Sequence, residues 1–299
     1  MKKVAVFGQT YTVNAEKEIT ILLKALAKHK IVVFFEVNFY NVLKEHGHLN
    51  KKYATFSSFH DLNNSFDLFF SLGGDGTILR AVTYIRDLNI PVLGINTGRL
   101  GFLANIQKDS IAESIELLIA KEYKIQERTL LNIKTSPPVK EIEEISFALN
   151  EITIARKNTT SMIGVKTYLD GEYLTNYWSD GLIIATPTGS TGYSLSCNGP
   201  VISPNSKNFV ITPIAPHNLN ARPMVIPDDT SIELEVNSRE KSFLISLDSR
   251  ITSVPKETKI YIEKSPFTIK SIIPTNQSFL TTLRTKLLWG EDTRNESNL

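Results

Sequence analysis

The feature that most constrains this chain is an abrupt stop. Residues Phe66–Leu72 form an apolar run, and Gly73-Gly74-Asp75-Gly76-Thr77 ends it at once. Beyond it, Ile78, Val82 and Ile85 fall on one side of a helix that begins near Thr77. A buried strand, a glycine loop and a helix in that order predict an α/β unit. Three glycines in four positions let the backbone approach a bound group without Cβ clashes. The helix start adds free N–H groups and the positive end of a dipole, a ready phosphate site. An ordinary tight turn is the other reading of this segment taken alone. The loop is not G-x-x-x-x-G-K-[ST], and it is not a full G-x-G-x-x-G, because Leu79 stands where the third glycine belongs.

The flanking sequence repeats this alternation. Val4–Phe7, Ile31–Phe35 and Ile90–Ile95 are expected strands. Ile19, Leu22, Leu23 and Leu26, with Asn14 as N-cap, predict one helix, and Ile111, Ile115, Leu118 and Ile119 another. Residues 38–65 are polar and take no clear pattern. Strands separated by helices imply βαβ units and a parallel sheet. After about residue 126 the pattern changes to strands: Arg128–Lys134, Ile145–Ala155, Met162–Leu169, Glu172–Tyr177 and Leu182–Ala185. Asp170-Gly171 marks a hairpin, and Pro137-Pro138 looks like another hairpin tip. Further strands are expected near 208–213, 230–236, 242–247, 257–263 and 266–272, the spacing of an antiparallel sandwich. A last helix runs from about Ser278 to Leu287 with Trp289 docking it, and Glu291–Leu299 is an expected frayed tail.

Composition narrows the function classes. The chain has 299 residues, 41% of them hydrophobic, enough for one large core or two ordinary ones. Its 33 Lys+Arg against 31 Asp+Glu show no basic excess for nucleic acid. Nothing approaches the ~18 consecutive apolar residues that span a bilayer. The run Val4–Phe7 is shorter than a signal-peptide core of ~7–15 residues. One cysteine, Cys197, excludes an intrachain disulfide and fits a reducing compartment. A cytoplasmic protein is expected.

Four segments carry chemistry. Asp75 is out of place in a phosphate loop, since a carboxylate repels phosphate. It makes sense as a general base or a metal helper, with Arg80 offsetting its charge. Gly94–Phe102 follows the fourth strand and falls on the carboxyl edge where α/β sheets bind ligands. Asn150-Glu151 is a polar pair in an apolar strand, costly to bury unpaired. Strand alternation sends the two side chains to opposite faces unless a bulge re-aims one. From Ser179 to Pro200 a buried strand feeds a run of glycines and small hydroxyl residues, suited to a planar base and its sugar, with Tyr193 as a stacking ring. His46-Gly47-His48 lacks further metal ligands, and Cys197 lacks a base beside it.

In this order and spacing, the motifs resemble the NAD kinase family. Gly73–Thr77 is similar to its GGDGT signature, Gly94–Phe102 to its G-x-N-x-G-x-L-G-F segment, and Asn150-Glu151 to its Asn-Glu pair. Asp180-Gly181 through Pro200 is similar to its long D-G…T-P-T-G-S-T segment. Pro213–Pro227 and Leu247-Asp248-Ser249 also resemble family stretches. GGDGT alone also occurs in lipid kinases, whereas the Asn-Glu pair with the long segment is specific. The resemblance implies a Rossmann-like α/β domain over 1–126 with 276–299, and an antiparallel, sandwich-like β domain over 127–275. The C-terminal helix would return to the first domain.

The resemblance also implies phosphoryl transfer from ATP to the adenosine ribose 2′-hydroxyl of NAD, with Mg²⁺ or another divalent ion and a homodimer or homotetramer. Asp75 would be the base. Gly73, Gly74, Thr77 and Arg80 would serve the phosphates, and Gly76 would approach the dinucleotide. Asn150 and Glu151 would hold the NAD ribose and adenine, and Asp180 the nicotinamide side. Thr191, Gly192, Tyr193, Ser194, Leu195 and Ser196 would line the pocket. No metal ligand is assigned to a side chain. Three positions depart from the family pattern: Trp178 where an Arg is frequent, Ser161 where some members have His, and Arg250 where Gln is frequent. Arg250 adds either a phosphate contact or a salt bridge. Two other functions are a diacylglycerol-kinase-like lipid kinase, disfavoured by the lack of an amphipathic basic segment, and a non-catalytic dinucleotide sensor, disfavoured by the intact Asp75.

Overall fold

A computed structural model describes residues 1–8, 16–49, 51–98, 101–104, 106–158, 161–218 and 220–288. Asn14, Arg99, Leu100, Trp289 and the tail Glu291–Leu299 lie outside the described residues. The chain divides into two compact units, Met1–Gln126 with Ile269–Leu299, and Glu127–Thr268.

The first unit opens with β1 (Lys3–Gly8), α1 (Glu16–Lys28), β2 (Val32–Glu36), α2 (Val37–Glu45) and β3 (Ala54–Phe56). It continues with β4 (Leu68–Leu72), α3 (Asp75–Ile85), β5 (Val92–Asn96), β6 (Ile106–Gln107) and α4 (Ile111–Ala120). The strands pair in the order β3-β2-β1-β4-β5-β6, all parallel. The order reverses between β1 and β4, and open α/β sheets gather ligands outside the carboxyl ends of strands at such a point. The loop Gly73–Thr77 leaves the carboxyl end of β4. Both β4 and β5 are buried throughout, which is why they read as largely apolar runs, with Ser71 and Asn96 the buried polar exceptions. Ile19, Leu22 and Leu26 of α1 pack with Phe70, Leu72 and Leu93 in one core. Residues 38–65, unassigned from sequence, contain most of α2 and all of β3. Glu36 caps α2 by accepting the Phe39 N–H at 2.9 Å, a cap that composition alone does not announce.

The second unit is built from strands. They are β7 (Tyr123–Ser136, begun at the unit boundary), β8 (Phe147–Ala148), β9 (Glu151–Ala155), β10 (Ile163–Leu169), β11 (Glu172–Ser179) and β12 (Gly181–Ala185). After them come β13 (Asn208–Ile214), β14 (Met224–Pro227), β15 (Ile232–Asn237), β16 (Ser242–Leu247), β17 (Arg250–Pro255) and β18 (Lys259–Pro274). Two short helices interrupt them, α5 (Lys140–Glu143) and α6 (Tyr193–Ser196). One antiparallel sheet runs β14-β13-β12-β9-β16-β17, and another runs β11-β10-β15-β18. Ile154, Leu182, Ile184, Phe209, Val165 and Leu234 bring both sheets into one core. The other face of β12 and β13 is closed by Ile183, Ala185, Ile202 and Val210, with Cys197 packed against them. The part of β18 from Ile269 onward belongs to the first unit, where Ser271 pairs with Val92 of β5. So does α7 (Phe279–Leu287), whose Phe279 ring lies 6.3 Å from that of Phe102.

A parallel-sheet first unit, an antiparallel second unit and a C-terminal helix are therefore present as expected. Details differ. The expected strand Ile145–Ala155 is two strands, β8 and β9, with a break at Leu149-Asn150. The expected strands 257–263 and 266–272 are one strand, β18, and β14 and β17 were not expected. Pro137-Pro138 lies in the connection between the antiparallel pair β7 and β8, as expected of a hairpin, but that connection also holds α5. No helix among the described residues is long and apolar enough to cross a membrane.

Candidate functional site

In the first unit, Asp75 is the first residue of α3, and Gly74 is its N-cap without a side-chain bond. The carboxylate is gripped from one side. The Phe102 N–H donates to Oδ2 at 2.8 Å, and the Leu103 and Ala104 N–H groups each donate to Oδ1 at 3.0 Å. Each carboxylate oxygen has two acceptor positions. Among the described residues, Oδ1 is therefore filled and Oδ2 keeps one position open. This approach explains Gly101, because a Cβ there would lie 1.8 Å from Asp75 Oδ1. Gly73 sits at φ +146, and a Cβ on it would meet Thr77 Oγ1 at 2.2 Å. Gly74 and Gly76 are exposed, and among the described residues nothing beyond their own chain neighbours and helix backbone comes within 4 Å of where a Cβ would be. Arg80 is exposed farther along α3.

In the second unit, the break between β8 and β9 is where the polar pair sits. Asp248, in the turn between β16 and β17, accepts the N–H groups of Leu149 at 3.0 Å, Asn150 at 2.8 Å and Glu151 at 3.2 Å. The broken strand overturns the simple alternation. Both side chains reach the same glycine: a Cβ on Gly192 would meet Glu151 Oε2 at 2.9 Å and Asn150 Nδ2 at 3.3 Å. Glu151 Oε2 and Asn150 Oδ1 are buried with no partner among the described residues. Burial first, and then the Asp248 carboxylate, push Glu151 up to about 8, against a pull downward from the Tyr193 N–H. At neutral pH Glu151 is therefore mostly protonated and can donate as well as accept. Burial also raises Asp248, restrained by the N–H groups it accepts and by Arg250.

The model of the ATP-NAD kinase N-terminal domain matches residues 5–123, and that of the ATP-NAD kinase C-terminal domain matches residues 149–274. An NAD kinase from Christiangramia forsetii is 54% identical, over 98% of this chain and 100% of the relative. The chain belongs to the NAD kinase family. Among solved structures, an NAD kinase from Archaeoglobus fulgidus in complex with ATP aligns with a TM-score of 0.74 and 26% identity, over 96% of this chain and 98% of that one. Yeast NADH kinase complexed with NADH has the same fold, with a TM-score of 0.87 and 24% identity over 99% of this chain and 89% of that one.

The remaining motif residues divide by what they touch. Tyr193 is 45% exposed, and burial of the rest, followed by Cys197, Asp180 and Glu151, raises its hydroxyl. Asp180 is held by Arg156, whose Nη2 donates to Oδ2 at 2.9 Å. The Ser194 hydroxyl is buried in a 2.8 Å bond with that of Thr212, and the Thr191 hydroxyl donates to Thr188 O at 3.2 Å. Ser196 is exposed and Leu195 half-buried. Of the departures, Trp178 is exposed on β11 and Ser161 is half-buried. Arg250, expected to add either a phosphate contact or a salt bridge, donates to the carbonyls of Ile145, at 2.7 Å, and of Phe147.

Sequence reasoning missed three supports. Arg156 pairs with Asp180, and Thr186 donates to Leu149 O at 2.6 Å. Arg128, 5% exposed, reaches Thr188 Oγ1 at 3.4 Å. A lone arginine ahead of the apolar run Leu130–Ile133 was the available signal for the last. Among the described residues, no three His, Cys, Asp or Glu side chains converge to hold a metal. With Asp75 already committed to three N–H groups, these residues do not by themselves make a metal cage.

Proposed function

We propose that this chain transfers the γ-phosphoryl group of ATP to the adenosine ribose 2′-hydroxyl of NAD, giving NADP and ADP, with Asp75 as general base. Membership of the NAD kinase family carries the phosphorylation of NAD, and the ATP complex of the archaeal relative supports the donor. The observation that carries the role of Asp75 is its carboxylate geometry. Three N–H groups hold it still, and among the described residues one acceptor position on Oδ2 stays open. That position takes the hydroxyl proton as the 2′-oxygen attacks the γ-phosphorus. The bond from that phosphorus to the β,γ-bridging oxygen breaks, and ADP leaves. Phosphoryl transfer otherwise asks for positioning and charge stabilisation.

The other roles follow from the same geometry. The open space over Gly74 and Gly76, beside Gly73 and Thr77, receives phosphates near the start of α3, with Arg80 as a nearby cation. Asn150 and Glu151 supply buried oxygens, unpartnered among the described residues, that bind the adenosine hydroxyls and amine of NAD. Asp180 faces the nicotinamide side, and Thr191, Gly192, Tyr193, Ser194, Leu195 and Ser196 shape the base pocket. Mg²⁺ or another divalent ion enters with ATP, since that ion is commonly held by substrate phosphates and few side chains. NADP biosynthesis in a reducing cytoplasm fits the lone Cys197. A homodimer or homotetramer fits the exposed Met224 and Val225 on β14.

The test is direct. Purified protein with ATP, Mg²⁺ and NAD should form NADP at an enzymatic rate, read with an NADP-specific dehydrogenase. NAD binding without turnover would replace this reading with a dinucleotide sensor. Neither binding nor turnover on NAD, with turnover on diacylglycerol micelles, would replace it with a lipid kinase.

A further inference from the structure

We propose that the turn Asp248-Ser249-Arg250 is a two-handed clamp that positions Asn150 and Glu151 for NAD, with Asp248 gripping the N–H groups of the segment and Arg250 its carbonyls. The inference rests on the reading of Asn150 and Glu151 as NAD ligands. In an extended strand, successive residues point to opposite sides. Three consecutive N–H groups cannot then converge on one carboxylate. Here those of Leu149, Asn150 and Glu151 do converge, on Asp248. The carboxylate is therefore bound up with the break that separates β8 from β9 and turns both side chains toward Gly192.

The other hand lies just upstream. Arg250 Nη1 donates to Ile145 O at 2.7 Å, Nη2 donates to Phe147 O, and the guanidinium lies 5.6 Å from the Phe147 ring centre. Together the two side chains engage backbone groups of residues 145, 147, 149, 150 and 151. The clamp is itself locked. Asp248 sits at φ +53, its N–H donates to Glu151 O at 3.0 Å, and its carbonyl accepts the Ser246 hydroxyl at 2.7 Å. A planar guanidinium can reach two carbonyls at once, whereas a lysine ammonium is a single point of charge. Arg250 and Asp248 touch backbone rather than ligand, so both are positioning residues.

The experiment uses the full chain with the variants Arg250→Gln, Arg250→Lys, Asp248→Asn and Asn150→Ala. It reads kcat, KM for NAD and for ATP, NAD binding by calorimetry, and the melting temperature. Arg250→Gln should raise the KM and the Kd for NAD by about 3- to 10-fold and leave the KM for ATP within about twofold, as expected of a slightly displaced ligand pair. Arg250→Lys should recover part of that loss. Asp248→Asn should lower kcat/KM for NAD by roughly 10- to 100-fold, since an amide N–H₂ would face backbone N–H groups. Adding Arg250→Gln to Asn150→Ala should cost much less than in the wild type, the non-additivity of residues acting through one another.

Fully multiplying effects, equal losses toward ATP and NAD, or a loss that tracks only the folded fraction would overturn the clamp. Unchanged NAD affinity in Arg250→Gln, alongside a weakened Asn150→Ala, would overturn the clamp alone. Unchanged NAD affinity in Asn150→Ala would overturn both the clamp and the ligand role beneath it. If Asp248→Asn does not fold, the Arg250 variants and the double variant still decide.

Discussion

Each unit holds an aspartate whose carboxylate gathers three consecutive backbone N–H groups, yet the two serve different ends. Asp75 takes those of Phe102, Leu103 and Ala104, and Asp248 takes those of Leu149, Asn150 and Glu151. In the first unit the residue that gathers is the one proposed to react. The loop holds it, and one oxygen keeps a position for a proton. In the second unit the gathering residue stands behind the proposed ligands, and Asn150 and Glu151 carry buried oxygens with no partner among the described residues. One hydrogen-bonding device thus fixes a reactive group directly in one place and fixes a ligand pair indirectly in the other. Disturbing the first should therefore strike kcat, and disturbing the second should strike NAD binding.

The largest effect should come from Asp75→Asn. Turnover should fall roughly 10²–10⁴-fold, the scale of a lost general base, with the melting temperature largely kept. A folded variant with near-normal kcat would end the assignment. Next comes Gly101→Ala, whose Cβ would fall 1.8 Å from Asp75 Oδ1 and must displace the carboxylate or the loop. Its kcat should drop on the order of 10²-fold, as misplacement of a reactive group by an ångström can do. An unaffected kcat would mean that the grip of residues 102–104 on Asp75 does not matter to the reaction.

Glu151→Gln sharpens the other half of the comparison. Because Glu151 is raised to about 8, the folded protein keeps a proton there that the unfolded chain loses near its ordinary carboxyl range. Fewer protons on the unfolded state mean that stability falls as pH rises through that window, and that this fall ends above about 8. The slope approaches about 1.4 kcal/mol per pH unit for one proton. Glutamine has no proton to lose, so melting curves from pH 5 to 9 should show a flatter dependence in the variant. Its NAD affinity should also survive better above pH 8 than that of the wild type. Parallel melting profiles for the two proteins would show that Glu151 is not buried and protonated in this way.

The smallest effect expected is that of Thr186→Val, which strands Leu149 O and the Gly189 N–H while filling the same space. A loss of about 1–3 kcal/mol in denaturant unfolding is expected for such unsatisfied groups. No loss would mean that the Thr186 hydroxyl adds nothing to the support under Asn150, which the backbone bond from residue 186 to the Asn150 carbonyl and Asp248 still supply.

Legibility from sequence followed the range of the interactions. The β4–loop–α3 unit could be read because a fully buried strand, a glycine stop and a helical stripe are all local patterns. The Asp170-Gly171 hairpin was equally local, and both residues take the positive φ it needs, +51 and +82. The polar pair was visible, but its shared direction was not, because the cause lies about a hundred residues downstream in Asp248. The same holds for Arg156 with Asp180 and for Arg128 with Thr188. Each is a pair of unremarkable residues until the sheet register sets them side by side. The segment 38–65 was opaque because α2 buries only Phe39 and Leu43, too few for a visible stripe.

What the sequence determined by itself is the class of each unit and the family that its motifs resemble. Period and turn chemistry act over a few residues, and they are written in order along the chain. What only the tertiary structure decided is where those side chains point. Gly101 had to be glycine because Asp75 occupies the space of its Cβ, and Asn150 and Glu151 share one direction where Asp248 and Arg250 hold the backbone out of strand geometry. Those constraints come from atoms distant in sequence competing for the same space and the same hydrogen bonds, and no local pattern records them.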